Sequence, residues 1–118
     1  MKKQTKDKLK KIYNEAYKLL STKGWTQGAF GRDKGGEDVF MRAGDSFFNL
    51  KKAYDRAVSF CLEGAVDKAG LNLKYKSADD ANNYLWHFLD CAPAIFNDNK
   101  NRTVEEVLDL LDHARNSL

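Results

Sequence analysis

The chain has 118 residues, of which 42% are hydrophobic and 31% are charged, and its formal net charge is +3. These values are typical of one soluble globular domain and exclude a disordered chain. No apolar run approaches the roughly 18 residues that a membrane-spanning helix needs. The basic N-terminal segment lacks the apolar core of a secretory signal, so we expect a cytoplasmic protein with no membrane contact.

The net charge conceals a gradient along the chain. Residues 1–23 carry eight lysines against two acidic residues, whereas residues 77–118 carry three basic and eight acidic residues. The simplest interpretation is that a basic first helix lies near an acidic last helix, or near the acidic end of a partner. Because nucleic-acid-binding domains usually have a larger basic excess on one face, we do not expect nucleic acid as a partner.

The first predicted helix is followed by a predicted β-hairpin. The apolar stripe of this helix repeats with a helical period and consists of Leu9, Ile12, Tyr13, Ala16, Tyr17 and Leu20. After Gly24 the helical pattern stops, and residues 33–36 (DKGG) have the composition of a tight turn. Residues 29–30 and 39–41 would form its strands within a hairpin over 26–41. A two-stranded ribbon is marginal alone, so it should lie against the helices.

A long second helix is predicted over residues 50–69. Its apolar stripe consists of Tyr54, Ala57, Val58, Cys61, Ala65 and Val66. Gly64 is unfavourable inside a helix, so we expect close backbone packing at that point. Cys61 and Cys91 are expected to be small, reduced core residues, because they form no CxxC motif and lie in apolar helical contexts.

Two further helices complete a mainly α fold. Ser77 is the candidate N-cap of a helix that continues to about Asp90, and Pro93 forbids its continuation. The last helix begins with a capping box formed by Thr103 and Glu106. The patterns thus predict a single helical domain over residues 1–118, with about four helices and a small hairpin after the first. The expected buried residues are Tyr13, Leu20, Val58, Cys61, Leu85, Phe88, Val107 and Leu111.

Two predicted loops contain more charged, amide and aromatic side chains than a simple turn requires. The candidate ligand- or partner-binding residues are Trp25, Gln27, Arg32 and Asp33 in the first loop, and Asn97, Asp98 and Arg102 in the second. Arginine offers a planar fork for phosphate or carboxylate, and tryptophan offers a flat face for a ring. The alternatives are a core tryptophan, turn-forming Asn and Asp side chains, and a hydrogen-bonded clamp between the loops. No standard catalytic motif is present, so we assign no catalytic residue, metal or cofactor.

Several short motifs, in order along nearly the whole chain, resemble the domain-of-unknown-function family 6197. They are GWTQGA at 24–29, RD at 32–33, FCLEGA at 60–65, FND at 96–98, RTVEEVL at 102–108 and LLDHA at 110–114. The family usually has tryptophan where Phe96 stands, and a lysine-rich first helix is not typical of it. The resemblance implies the fold and the importance of the two loops. It brings no established activity or cofactor, and the family's occurrence in actinobacteria and phages implies a phage or mobile-element origin.

These observations lead to a first functional hypothesis and two alternatives. The first is a small non-enzymatic protein that binds a host protein or a defence component, in the host cytoplasm if a phage encodes it. One alternative is a pocket for a small anionic or nucleotide ligand between residues 25–33 and 96–102, with Arg32 and Arg102 beside Asp98 in one cleft. The other is a hydrolase that uses Asp33 or Asp98 as general base.

Overall fold

A computed structural model describes residues 1–40 and 49–118, and these ranges contain six α-helices and two short strands. The helices are α1 (Lys3–Thr22), α2 (Leu50–Asp55), α3 (Leu62–Asn72), α4 (Asp79–Leu85), α5 (Pro93–Asp98) and α6 (Val104–Asn116). The strands β1 (Gly31–Arg32) and β2 (Ser59–Phe60) pair antiparallel. Four of the six helices have seven or more residues. The predicted mainly α fold with a small β element after the first helix is confirmed.

The long helix α1 supplies the centre of the core. It packs against α3 and α6, and its buried residues are Leu9, Ile12, Tyr13, Ala16, Leu19 and Leu20. Tyr17, which belongs to the predicted stripe, is only partly buried and packs against the edge of this core. Within the described ranges no helix is both long and apolar enough to cross a membrane.

The predicted turn after α1 forms, but the second strand of the sheet comes from a distant segment. Val39 N donates a hydrogen bond to Gly31 O at 3.1 Å, and an isolated bridge joins Arg32 to Asp38. The sheet itself pairs β1 with β2, with Gly31 opposite Phe60. Pairing with β2 brings Phe60, which is fully buried, into the core. Residue 41 of the predicted hairpin lies outside the described residues.

The prediction of one helix over residues 50–69 is wrong, because the chain leaves the helical path between α2 and α3. Val58 N donates to Arg32 O at 2.8 Å, and Cys61 N donates to Phe30 O at 3.2 Å. The backbone of this segment therefore bonds to the loop after α1 instead of to a helical turn. As a result Val58 is 45% exposed, so its predicted place in the core is also wrong.

Cys61 and Gly64 form the beginning of α3. The Cys61 Sγ accepts a hydrogen bond from Gly64 N at 3.3 Å, and burial raises the pKa of the Cys61 thiol to about 12. A Cβ atom on residue 64 would lie 1.8 Å from Phe30 O, which confirms the close backbone packing predicted at this glycine. Both cysteines are free thiols, and Cys91 is only partly buried.

The chain between α3 and α6 is more interrupted than the sequence pattern suggests. The helix expected to run to Asp90 ends as α4 at Leu85 and continues only as a 3₁₀ helix, Trp86–Phe88. Ala78 is the N-cap of α4, although the Ser77 hydroxyl accepts a hydrogen bond from Asp79 N. Phe88 is partly buried instead of belonging to the core. The short α5, which begins at Pro93, was not predicted, and its last three residues, 96–98, fall within the predicted second loop.

The last helix, α6, begins and packs as predicted. Thr103 Oγ1 accepts from Glu106 N at 3.3 Å, and the Glu106 carboxylate accepts from Thr103 N at 3.0 Å. These two bonds complete the capping box. The predicted core positions that are confirmed as buried are Tyr13, Leu20, Cys61, Leu85, Val107 and Leu111.

Candidate functional site

A single buried amide, Asn97, joins the two predicted loops. Its Oδ1 accepts hydrogen bonds from Trp25 Nε1 at 2.7 Å and from Leu62 N at 3.0 Å. Its Nδ2 donates to Thr26 O at 3.1 Å and to Asp98 Oδ1 at 3.0 Å. Both lone pairs and both hydrogens of the amide are therefore used. Since Asn97 is 0% exposed, this arrangement fixes α5 against the loop after α1 and against the start of α3.

Three further hydrogen bonds, donated by two residues of the first loop, close the loops onto each other. Gln27 Nε2 donates to Asn97 O and to Asn99 O, both at 2.8 Å. Gly28 N donates to Asp98 Oδ1 at 3.0 Å, and its φ of 79° is a conformation that favours glycine. Gln27 thus satisfies carbonyl groups at the end of α5 that no helical turn can satisfy. We call this set the interloop clamp: Trp25, Gln27, Gly28, Asn97 and Asp98.

Arg32 holds the shape of the first loop from within. Its Nε donates to Thr26 Oγ1 at 2.9 Å, its Nη2 to Gln27 O at 2.9 Å and its Nη1 to Gly36 O at 3.2 Å. The guanidinium group of Arg32, which the sequence analysis considered as an anion-binding group, therefore binds oxygen atoms of its own loop. Because Gln27 belongs to the interloop clamp, Arg32 also positions one side of that clamp.

Arg102 lies in a different environment from Arg32. Its Nε donates to Phe96 O at 2.9 Å, its guanidinium carbon lies 3.7 Å from the Phe96 ring centroid, and its Nη1 donates to Glu106 Oε2 at 3.0 Å. It lines an open groove of about 390 Å³ that Phe88 and His113 also line. Asp98 lines other cavities. These contacts do not form the expected shared cleft between the two arginines.

The two carboxylates considered as general bases hold backbone N–H groups. Asp33 Oδ1 accepts from Gly35 N at 2.9 Å and from Glu37 N at 3.0 Å, which stabilises the turn. Asp98 Oδ1 accepts from Gly28 N within the clamp. A general base must present its oxygen to a substrate proton. Neither set of contacts favours the hydrolase alternative.

A cavity of about 160 Å³ lies beside the interloop clamp. It is lined by Gly28, Ala29, Phe30, Asp38, Cys61, Ala94 and Asp98. A shallower depression shares Ala94 and Asp98 with this cavity and continues to Ile95 and Asn99. Ile95 is 65% exposed. We call the cavity and the depression together the α5 groove. Its charged lining residues, Asp38 and Asp98, are both acidic.

A partly buried carboxylate that the sequence analysis missed, Asp67, joins three helices. Tyr54 Oη donates to Asp67 Oδ2 and Asn82 Nδ2 donates to Asp67 Oδ1, both at 3.0 Å. Burial raises the pKa of Asp67 to about 6, and the charge of Glu63 adds to this effect. The available signal was the charged pair Asp67-Lys68 inside segment 64–70, whose other residues are apolar or glycine. Four residues of the α5 groove lie outside the two loops. Cys61 was predicted only as a core residue, and Asp38, Ala94 and Ile95 carried no signal in the sequence.

The comparisons with known proteins give one match. A family model described as a family of unknown function, DUF6197, matches residues 4–117, so the match includes the interloop clamp and the α5 groove. No curated protein and no solved structure matches the chain. In the described ranges, no group of three or more His, Cys, Asp or Glu side chains is placed to hold a metal ion.

Proposed function

We propose that this chain, which belongs to the family of unknown function DUF6197, is a non-enzymatic module for binding another protein. The observation that carries the proposal is the α5 groove, in which the exposed apolar side chain of Ile95 borders a cavity beside Asp38 and Asp98. Exposed apolar surface next to polar groups is typical of protein-binding sites.

The charge of the α5 groove supports a protein partner more than a nucleotide. The cavity has about 160 Å³ and the depression that continues it has about 360 Å³. Since small-molecule pockets usually have about 300–1,000 Å³, the charge of the groove and not its volume separates the two kinds of ligand. The carboxylates of Asp38 and Asp98 favour a basic side chain and oppose an anion by charge complementarity. The described contacts therefore do not favour the alternative of an anionic or nucleotide ligand between residues 25–33 and 96–102.

The interloop clamp explains how this groove can exist on so short a helix. The six residues of α5 would not be stable as an isolated helix. Asn97 and Asp98 anchor the helix, while Ile95 remains exposed beside them. A binding surface fixed in advance loses little conformational entropy on association. The clamp residues thus act as positioning residues for the groove. A phage or mobile-element origin, with a host or defence protein as the partner, stays a prediction.

The experiment places a photo-crosslinking benzoylphenylalanine at position 95 and, as a matched control, at position 58. Ile95 and Val58 are both exposed apolar residues, but only Ile95 lines the groove. In a lysate of the source cells we expect one defined protein adduct from position 95 and none from position 58. Excess unlabelled wild-type protein should abolish the adduct, and excess Ile95→Asp protein should not. Equal adducts from both positions, or none from position 95, would contradict the proposal.

A further inference from the structure

The outward side of α1 carries a set of lysines that the core leaves exposed. The apolar side of α1 is buried in the core. Two pairs of its lysines are spaced by seven residues, close to two helical turns. The pairs are Lys3 with Lys10, and Lys11 with Lys18. These four lysines therefore lie on one broad side of α1, opposite its buried residues, over about 22 Å of helix. Lys3, Lys11 and Lys18 are exposed and Lys10 is partly buried. We call these four residues the lysine face.

Little in the described residues offsets the charge of this surface. Within the described residues, one lysine of α1 forms an ion pair: Lys8 Nζ lies 3.1 Å from Asp80 Oδ2. Glu15 accepts a hydrogen bond from Asn72 of α3. The exposed Asp7 lies on the same side of α1 as the lysine face, four residues after Lys3 and three before Lys10, so it offsets one of the four positive charges. The lysine face therefore keeps most of its positive charge available for an external partner.

The acidic last helix does not neutralise the lysine face, although the two helices pack together. Glu106 pairs with Arg102 at 3.0 Å, and Asp112 pairs with Arg115 at 2.9 Å. Arg115 Nη1 also donates to Asn14 Oδ1 on α1 at 2.8 Å, which brings a further cation to the edge of the lysine face. The expectation against nucleic acid rested on the small basic excess of the chain, which is +3 overall. The lysine face nevertheless places four lysines on one side of a single helix.

We propose that the lysine face binds the phosphate backbone of nucleic acid without sequence specificity. Lysine ammonium groups attract phosphates as point charges, and contacts to phosphates carry no sequence information. A membrane surface is the less suitable polyanion, because a helix lying on a bilayer inserts its apolar face. The apolar face of α1 is already buried in the core.

The test measures binding to a fluorescein-labelled DNA duplex of about 20 base pairs, two helical turns, by fluorescence anisotropy. With up to four phosphate contacts, we expect log K to fall against log salt concentration with a slope of about −3 to −4. The variant K3Q/K10Q/K11Q/K18Q should lose at least about tenfold in affinity at about 50 mM salt, with a slope near zero. Glutamine and lysine have similar helix propensities, so α1 should stay intact, which circular dichroism checks.

The matched control is K34Q/K52Q/K76Q/K100Q, which removes four positive charges from exposed positions outside α1. We expect this control to stay within about threefold of wild type, because its lysines are not grouped on one helix side. Equal losses in the two variants would show a general charge effect and overturn the proposal. Absence of binding at low salt would also overturn it. Binding to vesicles that contain anionic lipid, without binding to DNA, would assign the face to membranes instead.

Discussion

At the scale of single residues, the interloop clamp depends on one amide. An amide buried without partners costs about 1–3 kcal/mol, yet Asn97 is fully buried. It is tolerated because Trp25, Leu62 and Thr26 supply partners with matching geometry. The carboxamide group of asparagine has two acceptor and two donor sites in one short planar group. Glutamine has the same group, but its side chain is one methylene longer.

Asn97→Ala should therefore lower the free energy of unfolding by about 2–4 kcal/mol, because it leaves buried donors and an acceptor without partners. Urea unfolding followed by tryptophan fluorescence measures this loss. Asn83→Ala is the control, since Asn83 is exposed on α4, and it should change stability by about 0.5 kcal/mol or less. Equal losses for the two variants would exclude a structural role for the Asn97 amide.

Gly64→Ala tests the close approach of α3 to the first loop. The added Cβ would lie 1.8 Å from Phe30 O, so the two backbones must separate. We expect a loss of about 2 kcal/mol or more, against the roughly 1 kcal/mol that alanine gains over glycine inside a helix.

Gly35→Ala is the matched control for Gly64→Ala. Its added Cβ would meet only Asp33 Oδ1, at 3.4 Å, so stability should change by about 0.5 kcal/mol or less. Urea unfolding of both variants decides the outcome. A Gly64→Ala protein as stable as wild type would show that the Phe30 backbone can move away without cost.

At the scale of elements, hydrophobic periodicity located the long helices but not the interruption between α2 and α3. The strand β2 has two residues, which is too short to show the alternation that identifies a strand. The apolar stripe expected over 50–69 therefore continued unbroken through Val58 and Cys61. In the fold, Cys61 is buried while Val58 faces outward, because the segment pairs with the first loop.

Leu111→Ala and Val58→Ala test this assignment of faces. Leu111 is 1% exposed and Val58 is 45% exposed. Truncation of a buried leucine should cost about 2–5 kcal/mol, whereas truncation at the exposed position should cost about 0.5 kcal/mol or less. Thermal and urea unfolding measure both losses. A larger loss for Val58→Ala than for Leu111→Ala would mean that the chain is packed with the other face inward.

At the scale of the whole molecule, the carboxylate of Asp67 links stability to pH. It connects α2, α3 and α4 through Tyr54 and Asn82, and burial raises its pKa from 3.8 to about 6. Because the folded pKa is the higher one, the folded state binds the proton more tightly than the unfolded state. This contribution to stability is complete below about pH 4 and is lost as the pH rises through about 6.

Asp67→Asn should remove this pH dependence, because an amide does not ionise. Relative to wild type, the melting temperature of the variant should rise between about pH 4 and about pH 6 and then stay constant. Asn83→Ala, at an exposed position on α4, is the control and should show a constant difference from wild type, because it removes no ionisable group. A melting temperature of Asp67→Asn that falls relative to wild type over the same interval would contradict a raised pKa at Asp67.

The sequence by itself determined the mainly α class, the helices α1 and α6, the capping box of α6, the close packing at Gly64 and the family. These features depend on neighbours within a few residues or on motifs read along the chain, so local patterns report them. The tertiary structure alone decided the break after α2, the helix α5 and the partners in the clamp. Trp25 and Asn97 are 72 positions apart, and a contact between such distant residues leaves no periodic pattern. Only the packed chain brings that indole N–H and that amide oxygen together.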